Sequence, residues 1–145
     1  DDTEFYIASL QADVIAYKGL VMPADLPLFY QDLANPELAT GICVFHQRFS
    51  TNTFPTWDLA QPFRYMCHNG EINTFRGNYS RMQAREELFK SDLIGDDIKE
   101  ILPVILRGKS DSSSMDMAVE LLLTTGRSLP EVMMMMGSNT VQILR

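Results

Sequence analysis

Clustered basic residues are missing from this sequence. Twelve Lys and Arg stand against 19 Asp and Glu, for a formal net charge of −7. No basic stripe runs along any segment, which argues against a partner gripped by its phosphate backbone, so no nucleic acid is expected. No apolar run reaches bilayer length, because Arg127, Pro130 and Gly137 interrupt the methionine-rich end, so no membrane is expected either. A charged n-region leading into an apolar h-region is missing, and with it a secretory signal. Without that context the sequon Asn78-Tyr79-Ser80 reads as chance. A glycine-rich turn after the first apolar run is also lacking, which excludes a dinucleotide-binding fold. There are two cysteines, Cys43 and Cys67, both in strand-like runs, and they read as reduced, buried thiols of a cytoplasmic protein. The opening Asp1-Asp2-Thr3-Glu4 has no cap, no flexible tail and no initiating Met, and reads as a cut inside a larger protein.

What is present suits one soluble domain. A chain of 145 residues, 46% hydrophobic and 21% charged, can bury a real core. Phe5–Leu10 and Val14–Lys18 are rich in aromatic and β-branched residues and predict a hairpin. Pro23 opens a short predicted helix carrying Leu26, Leu28, Phe29 and Leu33, which Asn35-Pro36 stops. Gly41–Phe49 and Phe63–His68 predict a third and a fourth strand. The long polar loop between them holds Asn52, Pro55, Trp57 and Pro62, and a loop of that length inside a compact domain points to function.

The second half reads as helical. Asn73 can cap a helix with Phe75, Tyr79, Met82 and Phe89 near helical period, and Glu86 and Lys90 stand as an i,i+4 pair. Ser110–Ser114 leads into a helix over Met115–Leu123 with Gly126 at its exit. Ser128-Leu129-Pro130-Glu131 is a capping box for a last helix ending at Met136, whose four consecutive methionines read as adaptable core filler. Strands and helices are segregated, which predicts an α+β layered fold in a single domain over residues 1–145.

Three polar clusters carry candidate chemistry: His46–Thr53, His68–Asn73 and Ser110–Ser112. Each follows an apolar run, where a rigid scaffold would present a site. Arg48 shares a strand face with Val44 and His46. Its guanidinium is always charged, so it needs either a structural ion pair with an acidic residue or a ligand carboxylate to fork. Asn69-Gly70 is a favoured hairpin turn, although Glu71-Ile72 is a short return strand. It can equally be an oxyanion hole, with an Asn side-chain N–H and a Gly backbone N–H converging on one oxygen. Asp111 suits an N-cap on spacing, or a carboxylate neutralising a substrate ammonium. Cys67 and His68 are adjacent on a predicted strand and face opposite ways, and Cys43 and His46 fail the same parity test. Neither a Cys/His dyad nor a zinc site is attractive, so no metal is expected.

The stretches His46–Thr53 with Phe54-Pro55-Thr56-Trp57, Pro62–Thr74 and Arg76-Gly77-Asn78 resemble the amidotransferase domain of glutamate synthase large subunits. Phe5–Leu10 and Tyr17-Lys18-Gly19 are similar to the preceding segment of that family, and Ser110-Asp111-Ser112 to the following one, so the resemblance covers nearly the whole chain. It implies a class II glutamine amidotransferase, an N-terminal-nucleophile hydrolase with a four-layer αββα sandwich. In such enzymes an N-terminal cysteine attacks the glutamine side-chain amide, its own α-amine acts as base, and ammonia passes to synthase domains of the same polypeptide. The resemblance makes Arg48 the holder of the L-glutamine α-carboxylate and Asp111 of its α-ammonium. Asn69 and Gly70 become the oxyanion hole, and Thr51 a further substrate contact.

FMN and an iron–sulfur cluster belong, by the same resemblance, to other domains of the parent enzyme, leaving no cofactor for this chain. Residue 1 is Asp where the family has its nucleophile, and Gln47 stands where a small residue is usual. The expectation is a substrate pocket inactive as an isolated chain. The competing expectation is a non-catalytic glutamine-binding or interaction module that has lost the cysteine. A metal or redox protein using Cys43, Cys67, His46 and His68 is a third.

Overall fold

The computed structural model describes residues 5–48, 56–69, 72 and 74–137. The chain divides into two compact units, Asp1–His68 and Asn69–Arg145.

No strand is found among the described residues of the first unit. This corrects the predicted hairpin over Phe5–Leu10 and Val14–Lys18, and the third and fourth strands as far as they are described. Alternation and β-branched content make a segment eligible for a sheet, but a strand exists only against a partner ladder. Here the backbone groups take side-chain partners. Ala16 N–H donates to Ser9 Oγ at 3.0 Å, Arg64 Nη2 donates to the Ile7 carbonyl at 3.1 Å, and Cys67 Sγ donates to the Phe45 carbonyl at 3.2 Å.

The predicted first helix breaks into short turns. A 3₁₀ turn at Pro23–Asp25 is followed by α1 (Leu26–Phe29) and a second 3₁₀ turn at Gln31–Ala34. Pro27 stands at the start of α1 and has no N–H to give, so a longer continuous helix cannot run through it. The stop at Asn35 holds, with Glu37 N–H donating to Asn35 Oδ1 at 2.9 Å. Among the described residues of this unit the buried apolar ones are few, Ala60 and Phe63, and Lys18 is buried as well.

In the second unit α2 spans Phe75–Glu86, α3 Asp111–Thr124 and α4 Leu129–Gly137. The N-cap of α2 is Thr74, while the predicted cap Asn73 lies outside the described residues. The helix ends at Glu86, so Lys90 stands off it and the predicted i,i+4 pair does not form. Glu86 Oε1 accepts from Val104 N–H at 2.9 Å instead.

Helix α3 starts at Asp111, ahead of the predicted Met115, because Ser110 caps it: Ser110 Oγ accepts from Ser113 N–H at 3.1 Å. Gly126 closes it at φ +88°, where Gly126 N–H bonds the Leu123 carbonyl at 2.9 Å and a Cβ would be strained. Helix α4 packs on α3, and Val119 and Val132 are both fully enclosed, worth about 2 kcal/mol each in burial. Ser112, Ser113, Ser114, Asp116 and Ala118 complete the buried face of α3. Of the four methionines expected as core filler, Met133, Met134 and Met135 are exposed and Met136 is half-buried, because α4 turns one face inward and Val132 holds it. Among the described residues no helix is long and apolar enough to cross a membrane.

Candidate functional site

In the first unit Arg48 follows a segment without regular structure and is exposed. Its backbone N–H donates to His46 Nδ1 at 3.3 Å. Among the described residues its guanidinium makes no ion pair. Thr51 lies outside the described residues.

Past that loop, Lys18 reaches inward. Its Nζ donates to the Trp57 carbonyl at 2.9 Å and stands 4.9 Å from the Tyr6 ring centroid and 5.7 Å from that of Phe63. A buried ammonium needs such acceptors and ring faces to offset its lost hydration. Lys18 thereby ties Trp57, in the loop that follows Arg48, to the inner face of the unit. Sequence reading missed it, and a lysine inside an aromatic run was the available signal.

Sequence reading also missed Gln61. Its Nε2 donates to the His68 carbonyl at 3.0 Å and its Oε1 accepts from His68 N–H at 2.8 Å. One side-chain amide thus satisfies both backbone groups of the residue before Asn69. Only the tertiary contact reveals this.

In the second unit Asn69 is exposed, and Gly70 lies outside the described residues. Asp111 is half-buried at the first position of α3, and it is not the N-cap, since Ser110 has that role. Its Oδ1 accepts from Ser112 N–H at 2.6 Å and from Ser112 Oγ at 2.9 Å, while Oδ2 accepts from Ile72 N–H at 2.6 Å. A carboxylate offers about four acceptor positions, so one remains open on Oδ2 for a further donor. The N-terminus of a 14-residue helix favours negative charge at this place. The structure thus joins Asp111 to the main chain shortly after Asn69-Gly70.

Thr74 closes that motif at φ 65°, which is strained for a β-branched residue and is the kind of backbone found where a site dictates geometry. Ile72 and Asp111 also edge a cavity of about 1180 Å³ within the unit, walled by Phe75, Tyr79, Met82 and Ala118 among others.

Cys43 is exposed and Cys67 half-buried, both free thiols, so the expectation of two buried thiols fails. Among the described residues no three His, Cys, Asp or Glu side chains group to hold a metal ion.

The family of class-II glutamine amidotransferases matches residues 1–142. The chain is 49% identical over 139 residues to a ferredoxin-dependent glutamate synthase of Pyropia yezoensis, covering 96% of this chain and 9% of that protein. To the glutamate synthase [NADPH] large chain of Bacillus subtilis it is 47% identical over 133 residues, 92% of this chain and 9% of the relative. To the glutamate synthase [NADH] of Schizosaccharomyces pombe it is 49% identical, over 91% of this chain and 6% of the relative. The chain therefore spans less than a tenth of the length of these relatives.

Proposed function

This chain belongs to the class-II glutamine amidotransferases, and on that premise we propose that it binds L-glutamine for hydrolysis to glutamate and ammonia within a glutamate synthase. Arg48 forks the α-carboxylate, and Asp111 takes one N–H of the α-ammonium at its open acceptor position. Thr51 adds a contact from the loop after Arg48. A cysteine thiolate attacks the amide carbon, and the oxygen that gains charge is met by Asn69 Nδ2–H and the Gly70 N–H. Ammonia leaves, and water releases glutamate from the acyl-enzyme.

The observation that carries this reading is the Asp111 carboxylate, fixed by three donors yet with room for a fourth. A carboxylate serving the helix alone would have no reason to grip Ile72. Family membership also supports a four-layer αββα sandwich, with residues 1–145 as one part-domain. The nucleophile is not Cys43 or Cys67, which have no free α-amine. Residues 1–145 alone should therefore release no glutamate above the buffer rate. The ammonia passes to synthase domains of the same polypeptide, where flavin and iron–sulfur chemistry belongs.

Arg48→Lys in the full-length protein tests the reading, because it keeps the charge and loses the fork. KM for glutamine should rise roughly tenfold with ammonia-dependent glutamate formation intact. An unchanged KM removes Arg48 from the site. Glutamine binding with no hydrolysis in the full-length protein makes the domain a binding module.

A further inference from the structure

We propose that Gln61 is a positioning residue for the oxyanion hole, acting through the main chain of His68 on Asn69. The proposal rests on the reading that Asn69 donates to the oxyanion. The side-chain amide of Gln61 meets both polar groups of one residue: His68 N–H donates to Oε1 at 2.8 Å, and Nε2 donates to the His68 carbonyl at 3.0 Å. Both bonds are partly buried, where water competes less for the same groups.

The consequence follows from the planarity of the peptide. The His68 carbonyl and the Asn69 N–H belong to one rigid unit, so fixing the direction of the carbonyl fixes the N–H and the Cα from which the Asn69 side chain departs. A donor aimed at a developing charge stabilises it only when its place is set in advance, and an error of about 1 Å can cost about a hundredfold in rate. Asn69 itself is exposed. Asp111 holds the chain again at Ile72, after Gly70, by a bond within the second unit. A glutamine that only filled space would not need to match donor to acceptor and acceptor to donor on one residue.

The test is a double-mutant cycle in the full-length protein, with glutamine hydrolysis and ammonia-dependent activity both measured. Gln61→Ala should lower kcat for glutamine by roughly 10- to 100-fold and leave KM within about twofold, with ammonia-dependent activity retained. Gln61→Glu keeps the acceptor for His68 N–H and loses the donor to the carbonyl, so it should fall between wild type and Gln61→Ala. It also serves if Gln61→Ala does not fold. In an Asn69→Gly background Gln61→Ala should cost nothing further, because the group it positions is gone.

If the two losses multiply, or Gln61→Ala matches wild type while Asn69→Gly is impaired, the positioning role is wrong and the oxyanion reading stands. Normal kcat in Asn69→Gly alone overturns the oxyanion reading, and the Gln61 role with it. A full-length protein that releases no glutamate from glutamine overturns the proposed function itself.

Discussion

Asp1–His68 and Asn69–Arg145 face the same problem, pairing their backbone N–H and C=O groups, and meet it in different ways. The second unit places them in α2, α3 and α4, where each helix supplies its own partners and Ser110 and Gly126 close the ends of α3. Among its described residues the first unit has only short helical turns and relies on side chains. Ser9, Arg64, Gln61 and Lys18 each bond a main-chain group elsewhere in the unit. Burial follows the same division, with Val119 and Val132 fully enclosed in one unit and Phe5, Leu10, Ile15, Ile42 and Phe45 exposed in the other. Helices complete themselves locally, whereas apolar segments with strand character need a partner to complete them.

The largest stability effect should fall in the second unit. Val119→Ala removes enclosed methyl groups beneath α4 and should cost about 2 kcal/mol in urea unfolding. A loss below about 0.5 kcal/mol would mean that α3 and α4 do not form the core of the unit. In the first unit the comparable change is polar. Lys18→Met keeps the apolar stem and leaves the Trp57 carbonyl without this donor, at a cost of about 1.5 kcal/mol. Because Trp57 follows the Arg48 loop, KM for glutamine should rise in the same variant. Equal stability and KM in Lys18→Met would reduce the lysine to a passive filler. Leu10→Ser sharpens the comparison from the other side. Leu10 is 83% exposed, so the change should stay within about 0.5 kcal/mol. A loss above about 1 kcal/mol would show that the longer protein covers this face.

The Asp111 geometry also alters how a familiar substitution is interpreted. Asp111→Asn keeps one acceptor oxygen and replaces the other with an amide donor, so either Ile72 or Ser112 loses its acceptor. A change in KM in that variant would mix the ammonium contact with loop anchoring. Arg48→Lys is the cleaner probe.

The sequence by itself determined the helical second half, the cap-rich entry to α3, the stop at Asn35 and the glycine at Gly126. Each is set by residues within one or two turns, through capping, backbone preference or a missing N–H. It also determined the family, because His46–Thr53 and His68–Asn73 are dense in polar residues in a fixed order. Tertiary structure decided the rest. Whether apolar alternation becomes a ladder depends on a partner that the segment does not contain. Glu86 turned from Lys90 to Val104, and Asp111 gave up the cap to Ser110 and took Ile72. Gln61 met the main chain of His68, and Lys18 the Trp57 carbonyl. Those choices lie between residues distant in sequence, where the position of the acceptor decides which donor it receives.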